Sequence, residues 1–345
     1  MKTIRILFTD FYAGFVAEES LLYRLLKERY HIELSDTPDY LIYSAFGNEH
    51  LRYNNCVKIF WTGENQSPDF NLCDYAIGFD YLEYGDRYLR YPLFYHYERD
   101  MEKAIRKHWI TGDTLVEKTG FCSFVYSNHN ASKERDTFYD LLSQYKKVDS
   151  GGKYRNNIGT PVDDLYAFQK KHKFAIAFEN TSMPGYTTEK LLRAFAAQTI
   201  PIYWGNPRVT EEFNNKSFIN CHEYTSWNEV IKKVKELDNN PEAYKAMLQE
   251  PAFTTRMDAE ETLKHTPLRE FLYHIFDQEL SEAKRYSRDY WNQKLLHQRI
   301  REYRSYKRSL YGIAQQMYNK IFYPLARKSK WGWQLTSKLM KIFKR

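Results

Sequence analysis

The chain has 345 residues, 51 Lys and Arg against 44 Asp and Glu, with 43% hydrophobic and 17% aromatic residues. Its length suits two domains of about 100–200 residues each, and its balance of apolar and charged residues excludes wholesale disorder. The net charge of +7 is split: residues 301–345 carry 12 basic residues and one acid, Glu302, whereas residues 1–300 carry 39 basic and 43 acidic. That split excludes a nucleic-acid-binding body and marks the tail as a specialised basic segment.

The opening apolar stretch, Ile4–Phe8, reads as a strand and is too short for a signal segment. A helix follows over Phe15–Arg29, with Leu21, Leu22, Leu25 and Leu26 on one side. Tyr40–Phe46, Val57–Trp61 and Tyr75–Phe79 read as further strands. Such alternation favours a parallel sheet covered by helices. A join is expected within residues 100–120, around Lys103–Gly112.

A second series starts near Gly120, with a strand over Phe121–Ser127, a helix over Lys133–Tyr145 and a turn at Asp149-Ser150-Gly151-Gly152. Phe174–Phe178 and Ile200–Tyr203 read as strands flanking a helix over Thr188–Ala197. Ser217–Cys221 and a helix around Trp227–Leu237 complete it. Two α/β series in succession predict two Rossmann-like domains, with ligands at the carboxyl ends of their strands. The expected division is 1–110, 111–280 and a helical basic amphipathic tail, 281–345.

The four cysteines, Cys56, Cys73, Cys122 and Cys221, form no CxxC pair, which argues against zinc and suits a reducing compartment. No run of about 18 apolar residues occurs, so a spanning helix is not expected. In the tail, Ile321, Phe322, Trp331, Trp333, Leu335 and Leu339 stand among basic residues. A helix of that kind lies in a membrane interface and prefers anionic lipid. A solvated charged face or an oligomer contact is the alternative, and nothing else in the chain supports an RNA-binding tail.

The most informative stretch runs from Phe174 to Pro207. A strand leads through Glu179-Asn180 and a loop at Pro184-Gly185-Tyr186 into Thr187-Thr188-Glu189-Lys190, which opens a helix. A strand, a loop and a helix N-terminus make an anion site, to which Lys190 adds a cation. Ordinary Thr capping of a helix start is the alternative. The loop lacks the GxGxxG and Walker patterns, which weakens dinucleotide oxidoreductase and P-loop ATPase readings.

Phe178-Glu179-Asn180, Gly185-Tyr186, Thr188-Glu189-Lys190 and Ile200-Pro201-Ile202-Tyr203-Trp204-Gly205 together resemble the signature of the α1,3-fucosyltransferases, glycosyltransferase family ten. The likeness extends through Cys122–Asn128, Arg135, Val148–Gly152 and Asn156-Asn157, over roughly residues 55–250, and is nearest to bacterial members. It implies the GT-B arrangement of two Rossmann-like domains, the first meeting an oligosaccharide acceptor and the second GDP-fucose. It implies inverting transfer from GDP-β-L-fucose to O3 of N-acetylglucosamine or glucose, for a lipopolysaccharide or Lewis-type antigen.

By the same resemblance, Arg135 and Lys190 meet the diphosphate, where Arg offers a bidentate fork and Lys a point charge. Arg135 could instead pair with Glu134 or Asp136 at the surface. Asn180 and Tyr186 match residues around the ribose and phosphates, and Glu189 a carboxylate close to the fucose. Glu64, at the end of Val57–Trp61 and after Gly63, matches the proposed general base. The alternatives are a plain surface loop for Glu64 and a dipole-favoured first-turn acid for Glu189.

No Asp-x-Asp triplet occurs, so no obligatory metal or cofactor is expected. The expected location is cytoplasmic, peripheral on the inner face of the membrane through residues 301–345. The Met183-Pro184 insertion departs from the family pattern, and 281–310 shows no heptad repeat, which leaves dimerisation open. The rivals are an inverting transferase with another nucleotide sugar and a non-catalytic glycan-binding protein.

Overall fold

The computed structural model describes residues 1–106, 118–255 and 257–317. The chain opens with strand β1 (Lys2–Thr9), helix α1 (Leu21–Lys27) and strands β2 (Tyr30–Leu34), β3 (Tyr40–Tyr43) and β4 (Val57–Trp61). Helix α1 is shorter than the sequence suggests because Ser20 is extended and its side chain accepts from Tyr23 N, a cap that starts the helix there. Strands β5 (Tyr75–Gly78) and β6 (Tyr88–Arg90) and helix α2 (Glu98–Ile105) follow. Most of the expected join around Lys103–Gly112 lies outside the described residues.

The second series comprises β7 (Gly120–Phe124), α3 (Lys133–Tyr145), β8 (Val148–Ser150), α4 (Leu165–Lys170) and β9 (His172–Phe178). It continues through α5 (Glu189–Ala196), β10 (Ile200–Trp204), β11 (Ile219–Asn220), α6 (Trp227–Asn239), α7 (Pro241–Gln249) and α8 (Ala259–Leu263). Helices α9 (Thr266–Asp277), α10 (Leu280–Ala283), α11 (Tyr290–Arg308) and α12 (Leu310–Met317) end the described chain. Residues 318–345, the larger part of the basic segment expected to meet a membrane, lie outside it. Among the described residues no helix is long and apolar enough to cross a membrane.

Packing divides the chain into two compact units. The first holds residues 1–61, 68–76 and the described residues from 274 onward; the second holds 62–67 and the described residues of 77–273. These units are drawn differently from the segments 1–110, 111–280 and 281–345 read from the sequence. Residues 77–106 pack with the second series, and the chain beyond 274 returns to the first.

In the first unit β2-β1-β3-β4 pair in parallel, and Ile4, Ile6, Leu22, Leu26, Ile42 and Ile59 are buried. The returning segment is tied down at Asp74, whose carboxylate accepts from Tyr286 N (3.1 Å) and from Lys58 N (2.8 Å). Helix α11 packs Leu296, Ile300 and Tyr303 against Leu51 and Leu72. Its Tyr303 and Lys307 side chains donate to Glu49. Burial would raise the Glu49 carboxyl, but those partners and Arg52 outweigh it and lower it to about 2. The start of the expected tail is thus a packed helix of the first unit.

In the second unit the parallel order is β11-β10-β9-β7-β8. Alternation along β9 feeds two cores: Phe174, Ile176 and Phe178 face the cluster with Phe138 and Ile202. Ala177 faces the other, where Leu191, Leu192 and Phe195 of α5 meet Met101 and Ala104 of α2. Period-2 alternation with both faces covered is what a buried parallel strand requires. All four cysteines are buried, and no disulfide joins them.

Candidate functional site

Strand order decides where a ligand fits. From β7 the chain moves to β8 on one side, then returns past β7 to β9, β10 and β11 on the other. Loops leaving the carboxyl ends of β7 and β9 therefore diverge, and the crevice between them is the usual ligand position in such sheets. A cavity of about 390 Å³ opens there. Ser127 and Asn128 line it from the loop after β7; Asn180, Tyr186, Glu189 and Lys190 line it from β9 and the start of α5. Glu64 and Arg193 complete its wall.

The loop between β9 and α5 has a built shape. Gly185 has φ +85° and its N–H donates to Asn206 Oδ1 (2.8 Å). Asn206 also reaches Thr187 Oγ1 through Nδ2 (3.1 Å), and Ser182 Oγ donates to Gly205 O (2.7 Å). A Cβ at position 185 would stand 2.3 Å from Phe79 O. Gly185→Ala is expected to cost about 1–3 kcal/mol through the left-handed backbone alone, with displacement of the loop besides. Thermal unfolding with GDP titration checks it, and unchanged melting and affinity would contradict this account.

Glu179, fully buried after β9, organises the charged centre. Its carboxylate accepts from Thr188 N (2.7 Å), Thr188 Oγ1 (2.7 Å) and Lys190 Nζ (3.0 Å). Lys190 Nζ also donates to Thr188 Oγ1 (2.9 Å) and lies 3.7 Å from Glu189 Oε1. Burial would lower the Lys190 ammonium, but the two carboxylates outweigh it and hold it charged. Burial pushes Glu179 up by more than Lys190 offsets, since one ammonium serves two carboxylates. Burial would also raise Glu189, but Lys190 and Arg193, 3.7 Å away, keep it below the ordinary range.

One donor at the start of α5 is already engaged within the chain. A carboxylate of the chain itself takes the Thr188 N–H, so cationic side chains must supply more of any attraction for a diphosphate. Arg135 is suited to that. It is 1% exposed, donates to Asn128 O (2.8 Å), and stacks 4.4 Å from the centroid of Tyr126, a residue of the cavity wall. Its Nε and Nη1 are buried without partners. A buried guanidinium with orphan donors is costly unless an anion meets it.

The structure thus gathers Asn180, Tyr186, Glu189, Lys190 and Glu64 on one cavity and sets Arg135 one layer behind its wall. Tyr186 is buried, its ring edge-on to Phe79 at 5.2 Å. Glu64 is exposed at the mouth. Its carboxyl is nonetheless pushed up by the protein around it, with Lys190 opposing and Glu189 adding. Sequence reasoning passed over Glu179, the partner of Lys190, and Arg193. The signals were there: an acid directly after an apolar strand, and Arg193 at i+4 from Glu189. Among the described residues no group of three or more His, Cys, Asp or Glu could hold a metal ion.

Comparison with known proteins sets this geometry in context. Residues 6–97 match the model of the alpha-(1,3)-fucosyltransferase FucT N-terminal domain, and residues 115–266 that of the glycosyltransferase family 10 (fucosyltransferase) C-terminal region. A crystal structure of an alpha1,3-fucosyltransferase is 33% identical, with a TM-score of 0.70 over 81% of this chain and 91% of that one. The chain belongs to glycosyltransferase family 10. A second structure of such an enzyme, with GDP-fucose, is 32% identical with a TM-score of 0.64, covering 78% of this chain and 91% of that one. The alpha-(1,3)-fucosyltransferase FucT of Helicobacter pylori is 38% identical over 274 residues. That match covers 69% of this family 10 chain and 57% of the Helicobacter protein. Two parallel α/β units are the GT-B-like fold of these fucosyltransferases, as the sequence indicated.

Proposed function

We propose that this chain is an inverting α1,3-fucosyltransferase that moves L-fucose from GDP-β-L-fucose to O3 of N-acetylglucosamine or glucose in an N-acetyllactosamine-type glycan. The observation that carries this reading is the crevice between β7 and β9. It joins a cation held between two carboxylates, Lys190, to a wall backed by a buried guanidinium with unpartnered donors, Arg135. Family membership and the GDP-fucose bound to a relative of similar fold support the donor.

The chemistry follows from those groups. The bond from fucose C1 to the β-phosphate oxygen breaks, and both electrons leave with GDP. Lys190 and Arg135 stabilise the negative charge that grows on that oxygen. Glu189, held ionised by Lys190 and Arg193, stabilises the positive charge on the sugar ring. The acceptor hydroxyl forms the new bond at C1 from the opposite face, which inverts the configuration. Its proton goes to Glu64, whose raised affinity for a proton suits a general base.

The product class proposed is a lipopolysaccharide or Lewis-type glycan. It would be made at the cytoplasmic face of a membrane to which residues 301–345, with 12 basic residues and one acid, attach the protein.

The test is mass spectrometry of N-acetyllactosamine incubated with GDP-fucose and protein, with and without EDTA. The expected result is gain of one fucose, linked at O3, in both arms. Transfer from GDP-mannose or UDP-sugars with none from GDP-fucose would overturn the donor. Loss of transfer with EDTA would overturn metal independence.

A further inference from the structure

The first unit has a strand reversal of its own. From β1 the chain passes to β2 on one side and returns to β3 and β4 on the other. The loops after β1 (residues 10–16) and after β3 (residues 44–48) therefore diverge at a second switch point, where an open α/β sheet places a ligand.

What stands there is aromatic. Phe11 and Phe15 stack at 3.9 Å with planes 10° apart, and Trp61, at the end of β4, meets Phe11 edge-on at 5.5 Å. Tyr12 lies edge-on to Phe15 (5.7 Å) and to Phe46 (6.1 Å). Tyr12 and Phe46 are 56% and 50% exposed. Large rings left in water at a ligand-binding position need a reason.

The protein spends stability on holding them there. Asp10 has φ +59°, uncommon for any residue but glycine. Its buried carboxylate accepts from Glu49 N (2.8 Å), His50 N (2.9 Å) and His50 Nδ1 (2.7 Å). Phe46 N donates to Asp10 O (2.9 Å) and Ser44 N to Thr9 O (3.2 Å), so the two loops are stitched together. A Cβ on Gly47 would stand 2.3 Å from Asp10 Oδ1, so only glycine permits that approach. A left-handed Asp with a buried, fully bonded carboxylate fixes the rings before anything binds.

We propose that Tyr12 and Phe46, backed by Phe11, Phe15 and Trp61, form a stacking shelf for a pyranose ring of the acceptor glycan. The proposal rests on the reading of the chain as a glycan-modifying transferase. A pyranose presents a face of C–H bonds to an aromatic ring and keeps its hydroxyls at the edge for water, the Tyr12 hydroxyl and the exposed Asn48. Neither loop segment contains Lys or Arg, which disfavours an anionic lipid. A few half-exposed rings also offer far less than the roughly 800 Å² per partner that a stable protein contact takes. In the chain, Trp61 stands three residues before Glu64, the proposed base.

The test is steady-state kinetics with varied N-acetyllactosamine and varied GDP-fucose, on Tyr12→Leu/Phe46→Leu and on Tyr12→Phe/Phe46→Tyr. Leucine keeps apolar bulk without a ring face; the second pair keeps both faces. The leucine variant is expected to raise the acceptor KM about tenfold, the worth of two ring contacts. Its KM for GDP-fucose and its melting should stay at wild-type values, and the aromatic variant should keep the wild-type acceptor KM. An unchanged acceptor KM in the leucine variant overturns the shelf and leaves the transferase reading standing. Equal loss in both variants also overturns it. A wild-type chain that transfers no fucose to any glycan overturns the transferase reading and the shelf with it.

Discussion

Glu64→Gln is expected to lower kcat for fucosyl transfer by about 10²–10⁴-fold, the usual worth of a positioned general base. The change preserves size and leaves the amide able to hydrogen-bond, and the Glu64 N–H donates to Thr62 Oγ1 (3.0 Å) whatever the side chain. KM for GDP-fucose should therefore hold while kcat falls. The pH profile carries the sharper signature. The protein packed around the side chain raises the Glu64 carboxyl above its ordinary value of 4.5, with Lys190 opposing and Glu189 adding. A base must be ionised to accept a proton, so wild-type kcat should fall as pH drops through that raised value. The variant should lose this acidic limb. Near-normal turnover, or an acidic limb that survives the substitution, would remove Glu64 from the role.

Lys190→Met should damage both chemistry and folding, and the two can be separated. Removing the cation at the leaving group is expected to lower kcat/KM by about 10²–10³-fold. It also leaves Glu179 buried with only the Thr188 donors. Breaking one side of a buried pair costs about 3–5 kcal/mol. In the wild type the raised Lys190 contributes stability that is fully present below its unfolded value of 10.5 and is lost as pH rises through the folded value.

In the variant the Glu179 carboxyl, already raised above 4.5 by burial, rises further. The stability deficit should therefore be smallest at acid pH, where Glu179 is neutral in both states, and grow as pH climbs above about 4.5. Adding Glu179→Gln to Lys190→Met should restore much of the stability and none of the activity. Chemical denaturation across pH beside steady-state kinetics tests both claims. Activity returning with stability would mean that Lys190 acts through folding alone.

Local signals carried much of the secondary structure. Val57–Trp61 and Lys133–Tyr145 were legible with the bounds observed, because an apolar run broken only by Lys58 and a helical period leave little choice. Strand β2 was not legible: it lies at the sheet edge, pairs with β1 only and buries little beyond Tyr30. Strand β8 read as part of a turn because it spans only Val148–Ser150 before two glycines. The division at 110 was drawn between the two α/β series, and that at 280 where composition shifts. The compact units follow contacts between distant segments, which composition does not record.

The sequence by itself determined the family, through ordered blocks from Cys122 to Gly205, and that resemblance named Glu64, Arg135, Asn180, Tyr186, Glu189 and Lys190 but neither Glu179 nor Arg193. Spacing keeps Asn180, Tyr186, Glu189 and Lys190 on one short strand–loop–helix run, and Asn206 then fixes the loop between them. Tertiary structure alone decided the rest. It brought Glu64, more than a hundred residues upstream, to the same cavity, and it set Arg135 behind the wall with unpartnered donors. It also engaged the Thr188 N–H at the helix start with Glu179 and fixed which carboxylates Lys190 serves. The physical reason is that desolvation and charge pairing depend on every atom within a few ångströms. Those neighbours come from segments that only the fold makes adjacent.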